Sequence, residues 1–195
     1  MIAAIILAAG QSRRMGQNKL LLPFGSATVI ETIVGEVAAC PEVGDIVVVT
    51  GHQADRVQAQ LAAYPIRCVF NADYTRSDML VSIQTGLHTL AAGVTAALIV
   101  LGDQPRLRRE IVQRVIAVAE PDQLIVPSFQ MKRGHPILIP RSMWAGILRL
   151  PPDASLRDVI RANEARIHYV LFDDDSVLRD IDTPADYQQI TKDAS

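Results

Sequence analysis

Short continuous apolar runs alternate along this chain with stretches whose apolar positions recur every three or four residues. The runs at 2–7, 45–50, 66–70, 96–101, 124–126, 136–139 and 167–172 read as strands. Those that are apolar on both faces read as strands buried on both sides. Between them the helical period is clear. Ile30, Ile33, Val34 and Val37 share one face of a helix over 28–39. Leu80, Ile83, Leu87 and Leu90 do so over 77–92, and Ile111, Val112, Val115 and Val118 over 108–119. Shorter helices are predicted at 55–63, 141–148, 155–163 and 184–191. Buried strands alternating with amphipathic helices predict an α/β, three-layer αβα fold, with a mostly parallel sheet and helices on both faces. No repeat or low-complexity tract interrupts the pattern. The weakest joint, 151–154, reads as a loop, so residues 1–195 are expected to form a single domain.

In such a sheet, ligands bind outside the carboxyl ends of the strands. Gly10 and Gly102 both follow strands there. After Gly10 come Arg13, Arg14 and Lys19, with no Asp or Glu before Glu31. A glycine turn with free backbone N–H groups and clustered cations makes an anion site, and polyphosphate is the natural anion. The alternative is a plain loop with solvated cations. Neither G-x-x-x-x-G-K-[ST] nor G-x-G-x-x-G is present. At 99–105, Ile-Val-Leu-Gly-Asp-Gln-Pro holds Asp103 rigidly at the same edge. Asp103 suits Mg²⁺, which takes one or two carboxylates with phosphate oxygens and water, or else caps the next turn. Near the C-terminus, Thr183 is a good N-cap, Pro184 suits the first helical position, and Asp186 stands where a capping-box acid would. Asp182 is thereby fixed just before a helix. Asn71 closes a strand, where its amide suits a base or ribose. Ser82 and Gln84 are either part of that site or exposed helix residues. His135 is extended by Pro136 and follows Gly134, which permits close approach. It is either a ligand contact or a packed histidine.

The stretch 7–19, Leu-Ala-Ala-Gly-Gln-Ser-Arg-Arg-Met-Gly-Gln-Asn-Lys, closely resembles the signature L-A-A-G-x-S-x-R-M-G-x-x-K of the molybdenum cofactor cytidylyltransferase family. That family belongs to the nucleotidyltransferases with a Rossmann-like, GT-A-like fold. Gly-Asp-Gln-Pro at 102–105 resembles its metal motif, and Asp-Ile-Asp-Thr-Pro-Ala-Asp-Tyr at 180–187 its closing motif. Arg-Gly-His-Pro at 133–136 and Ser-Leu-Arg-Asp at 155–158 resemble segments on its acceptor side. At 79–82, Met-Leu-Val-Ser stands where the family carries a more serine-rich run.

The resemblance implies a Mg²⁺-dependent nucleotidyltransferase. Leu7, Ala8, Ala9, Gly10, Lys19, Asn71, Ser82 and Asp103 are then the nucleotide contacts. Arg14 and Lys19 neutralise the phosphates, and Asp103 and Asp182 hold the metal. Arg133, His135 and Arg157 meet the acceptor. The implied donor is CTP, and the implied acceptor is the terminal phosphate of a molybdopterin-type cofactor. A molybdoenzyme is the implied recipient of the product. Ala9 favours cytidine, because the guanylyltransferase branch shows Leu-Ala-Gly-Gly there. The nearest enzymatic alternative is a sugar- or polyol-phosphate nucleotidyltransferase. From another class, the alternative is a non-catalytic chaperone of the cofactor.

Composition adds exclusions. The net charge of −2 gives no reason to expect a nucleic-acid or anionic-membrane surface. No apolar run approaches a membrane span, and the apolar start lacks the basic region of a signal peptide. Cys40 and Cys68 are isolated in apolar surroundings and read as two buried thiols of a cytoplasmic protein.

Overall fold

The computed structural model describes residues 1–75 and 79–193. Strand β1 (Ile2–Ala8) leads through the 3₁₀ turns Arg13–Met15 and Lys19–Leu21 into a small hairpin, β2 (Pro23–Phe24) and β3 (Ala27–Thr28). Then follow α1 (Val29–Ala38), β4 (Val43–Thr50), α2 (Ala54–Gln60), β5 (Arg67–Phe70), α3 (Met79–His88), β6 (Ala96–Leu101) and α4 (Arg109–Ala117). The second half holds β7 (Leu124–Phe129), β8 (Lys132–Arg133), β9 (Ile137–Pro140), α5 (Arg141–Ile147), α6 (Leu156–Ala162), β10 (Ile167–Leu171) and α7 (Pro184–Lys192).

The main sheet runs β10-β7-β9-β6-β1-β4-β5, with β8 added to β7. β1 lies between β4 and β6, parallel to both. The chain builds outward from β1 through β4 to β5, then returns to place β6 on the other side of β1. The order therefore reverses between β1 and β6, and a crevice opens there at the carboxyl ends. β9 runs antiparallel between β6 and β7. With β8, which pairs antiparallel with β7, it departs from parallel order within a sheet expected to be mostly parallel.

Alternate residues of each strand enter opposite layers, as a pleated strand requires. Ala4, Ile6, Val48 and Leu98 pack with Ile30, Ile33 and Val34 of α1, Val112 and Val115 of α4, and Ile190 of α7. Ala3, Ile5, Val47 and Ile99 pack with Leu80 and Ile83 of α3, Trp144 of α5, and Val159 and Ile160 of α6. Fully burying each Val, Leu or Ile side chain among them stabilises the fold by about 1.5–3 kcal/mol. Both faces of the sheet are thus covered, as the apolar runs required.

Helix ends are set by local chemistry. Thr28 with Glu31, Ser155 with Asp158 and Thr183 with Asp186 each form a reciprocal capping box. The predicted start of α3 at Ser77 lies outside the described residues. Gln84 is not a free helix residue. Its Nε2 donates to the carbonyls of Ile147 and Leu150 at 2.9 and 3.0 Å and ties α3 to the end of α5. Cys40 is buried and burial pushes its thiol up to about 11, whereas Cys68 is only half-buried, which corrects the expected pair of buried thiols. No helix among the described residues is long and apolar enough to cross a membrane.

Candidate active site

The loop after β1 is shaped by two left-handed residues, Ser12 at φ 51° and Gly16 at φ 67°. Ser12 Oγ accepts from the Lys19 backbone N–H at 3.2 Å. Asn18 is buried. Its Oδ1 accepts from Leu20 N at 3.1 Å, and its Nδ2 donates to the His52 carbonyl at 3.3 Å. One amide therefore caps the turn carrying Lys19 and anchors it beyond the end of β4. Asn18 escaped sequence reasoning, although an Asn just ahead of a turn is a capping signal. Gly51 and Gly102 let neighbouring strand ends close on β1. A Cβ at either would stand 2.6 Å from the Ala9 or Leu7 carbonyl. Both carbonyls are used internally, Leu7 O by Gly102 N at 3.0 Å and Ala9 O by His52 N at 3.3 Å.

Lys19 reaches the centre of the crevice. Its Nζ lies 2.5 Å from Asp103 Oδ2, 3.4 Å from Asp182 Oδ1 and 2.6 Å from the Ile181 carbonyl. Arg14 Nη2 lies 2.9 Å from Asp182 Oδ2. Two of the cations that lack acidic neighbours in sequence, Arg14 and Lys19, thus find them across the fold. The Lys19 side chain is 13% exposed and that of Arg14 67% exposed. Solvent therefore screens the Arg14 pair far more than the Lys19 pair. Asp182 is held by its backbone. Asp186 Oδ2 accepts from the N–H groups of Asp182 and Thr183 at 3.2 and 2.7 Å, and Ile181 N donates to Asp103 O at 3.0 Å. That last bond joins the two acidic segments. Asp180 is a third carboxylate beside Asp103 and Asp182. Burial pushes its carboxyl above the usual range, and the negative charges of Asp103 and Asp182 push it further. Its signal in the sequence, one Asp among six between 173 and 186, was too diffuse to single it out.

The donor set fits Mg²⁺. Asp103, from the end of β6, and Asp182, just ahead of α7, present hard oxygens to one cation position, which the Lys19 ammonium shares. Among the described residues no group of three His, Cys, Asp or Glu is placed to cage an ion. An ion held here takes its remaining ligands from substrate and water.

Leu7, Ala8, Gly10, Arg13, Arg14 and Lys19 line a cavity of about 190 Å³ that ends on Asp103 and Asp182. Ala9, Gly10, Tyr74, Ser82 and the same two carboxylates line an adjoining space of about 350 Å³. Asp180, Met79 and Leu101 are common to this space and to a larger one of about 1000 Å³. Arg133, His135, Arg157 and Arg161 line that larger space. The result is one crevice with a cationic group at each end and carboxylates between.

Asn71 is buried, and its Nδ2 donates to Ser82 Oγ at 3.0 Å while its Oδ1 accepts from Asp73 N at 2.9 Å. Through that bond to Ser82 it adjoins the crevice wall. Ser82 is buried and lines the wall, so it is not an exposed helix residue. Arg133 is exposed; its Nε donates to Tyr169 Oη at 2.9 Å and its Nη2 lies 3.2 Å from Glu164 Oε1. Arg157 is exposed in the first turn of α6 and makes no ion pair among the described residues. The His135 N–H donates to the Val177 carbonyl at 2.9 Å. Its Nε2 is buried without a partner, and burial lowers the imidazole to about 4, so the ring is neutral near pH 7. A Cβ at Gly134 would run into that same Val177 carbonyl, so only glycine fits the strap.

Comparisons with known proteins bear on the family and the fold. Residues 4–167 match the family model described as the MobA-like NTP transferase domain. The chain is 28% identical over 188 residues to the molybdenum cofactor cytidylyltransferase of Escherichia coli, covering 95% of this chain and 93% of that one. It is also 28% identical over 193 residues to the nicotine blue oxidoreductase of Paenarthrobacter nicotinovorans, covering 93% and 92%. A solved nucleotidyl transferase from Methanothermobacter superposes with a TM-score of 0.85 at 27% identity, covering 100% of this chain and 97% of that one.

Proposed function

The chain belongs to the family of MobA-like NTP transferase domains, and from that premise we propose that it transfers CMP from CTP to the terminal phosphate of a molybdopterin-type cofactor. It is a nucleotidyltransferase. The observation that carries the reading is the convergence of Lys19, Asp103 and Asp182 at the sheet's switch point. The cytidylyltransferase of Escherichia coli and Ala9 support the choice of CTP.

In this reading residues 1–195 act as one catalytic domain. The backbone from Leu7 to Gly10 and the wall at Ser82 receive the nucleoside, and Arg14 and Lys19 meet its phosphates. Mg²⁺, held by Asp103 and Asp182, supplies neutralisation of phosphate charge when bound. The acceptor enters from the larger end of the crevice, past Arg133, His135 and Arg157. Its phosphate oxygen forms a bond to the α-phosphorus, the bond to the bridging oxygen breaks, and pyrophosphate leaves. No covalent enzyme intermediate is needed, so the protein contributes position and preorganised charge.

The test is pyrophosphate release with CTP, GTP, ATP and UTP, each with and without molybdenum cofactor. Release that requires both CTP and the cofactor supports the reading. GTP dependence keeps the mechanism and overturns the base assignment. Turnover with sugar or polyol phosphates overturns the acceptor, and tight cofactor binding without turnover points to a chaperone. Asp103→Ala is expected to lower turnover at least ~100-fold, the scale of losing one preorganised electrostatic group. Unchanged turnover removes the metal assignment.

A further inference from the structure

Lys19 stands where a divalent ion would stand. Its ammonium touches Asp103 Oδ2, Asp182 Oδ1 and the Ile181 carbonyl, three oxygens brought together from the ends of two distant segments. Mg²⁺ demands ligands at about 2.0–2.1 Å. It cannot take these carboxylate oxygens while an ammonium holds them at 2.5 and 3.4 Å. For the ion to enter, Lys19 must leave, and its charge then needs other anions, because the side chain is only 13% exposed. Arg13, Arg14 and Gly10, which line the cavity with it, offer no negative charge. A polyphosphate in that cavity would supply it.

We propose that Lys19 is the resident counter-cation of Asp103 and Asp182, and that the site takes its divalent ion as a metal–nucleoside triphosphate complex rather than as a free ion. The exchange is one movement: the ammonium passes from the carboxylates to the incoming phosphates, and the ion takes its place. It holds the two acidic segments together before substrate arrives, and it disfavours an idle metal in the free protein. This inference rests on the reading of Asp103 and Asp182 as the metal pair.

Free Mn²⁺ is the probe, titrated into the nucleotide-free protein and followed by electron paramagnetic resonance. Lys19→Met is expected to bind Mn²⁺ at least ~10-fold tighter than wild type, because Asp103 is left without a cation and Asp182 keeps only the solvent-screened Arg14. Lys19→Arg, which keeps the charge, should stay weak. Equal affinity in wild type and Lys19→Met overturns the exchange. If Asp103→Asn then lowers that shared affinity, the metal pair still stands; if it changes nothing, the metal pair falls as well. A second measurement uses wild type alone and so survives a misfolded variant. The ζ-ammonium resonance of Lys19 should be unmoved by Mg²⁺ and shift on adding Mg²⁺ with a non-hydrolysable CTP analogue. A shift with Mg²⁺ alone overturns the proposal.

Discussion

His135 lines the larger space with its Nε2 buried, and it reads in sequence as either a ligand contact or a packed histidine. Arg-Gly-His-Pro left both readings open, and nothing in the letters said that Nε2 would be buried without a partner. Gly134 brings the strap against Val177, and the packing of distant chain, not local pattern, sets the burial. The consequence is a pH dependence with a definite sign. The imidazole titrates near 6.5 when unfolded and at about 4 when folded. Above pH 6.5 both states are neutral and stability is unaffected. As pH falls from 6.5 towards 4 the unfolded chain gains a proton that the native ring refuses, and stability drops, by up to about 3 kcal/mol. Urea unfolding of wild type between pH 7 and 4.5 should show this loss. His135→Gln, neutral throughout, should flatten it whatever its own stability at pH 7. Asp180 titrates with the opposite sign in both proteins, so the difference between their slopes isolates His135. Equal slopes would place the imidazole in water. Lys19, Asp103 and Asp182 were legible because each sits in an ordered motif. Asn18 and Asp180 were not, since a buried amide and a shared carboxylate are defined by neighbours far along the chain.

At the scale of elements, α7 is the part of the site that the sequence specified most fully. Thr183 Oγ1 accepts from Asp186 N at 3.3 Å, and Asp186 Oδ2 accepts from Thr183 N at 2.7 Å, as the spacing required. The same Asp186 oxygen takes the N–H of Asp182. The cap of a helix and the aim of a candidate metal ligand are therefore one structure. Thr183→Ala is expected to cost about 1 kcal/mol of stability, a usual price for a lost N-cap. It should also lower turnover beyond what that loss explains, because Asp186, whose carboxylate holds the Asp182 N–H, loses the bond from Thr183 Oγ1. Denaturant unfolding and steady-state rates, taken on the same preparation, test both halves, and Thr183→Ser should restore them. A fall in stability with normal turnover would reduce α7 to a packing element. Helix ends elsewhere show why boundaries were less legible than elements. The helix read as 108–119 begins at Arg109, because the carboxylate of Glu36 on α1 accepts its N–H at 2.8 Å. No pattern within 108–119 could reveal that partner.

Across the whole molecule, the apolar runs were enough to foretell a sheet covered on both faces, but not the order of its strands. The antiparallel β9 reads like any other buried strand, because side-chain periodicity carries no direction. The pairs β2–β3 and β7–β8 are too short in their two-residue members to leave a periodic trace. What the topology does place is a crevice with cations at both ends, Arg14 and Lys19 at one and Arg133 and Arg157 at the other, with Asp103, Asp180 and Asp182 between them. If the ends serve different substrates, their cations must act on different constants. Arg14→Ala should raise the nucleotide KM about 10-fold and leave the acceptor KM nearly unchanged, the scale of one charge-assisted hydrogen bond. Arg157→Ala should do the reverse. Neither side chain touches the other's partners, so the double variant should show both changes at full size, with coupling below about 0.5 kcal/mol. Steady-state kinetics with each substrate varied in turn decides the matter. Two variants that move the same KM, or that couple strongly, would mean that one ligand spans both ends and that the division of the crevice between donor and acceptor is wrong.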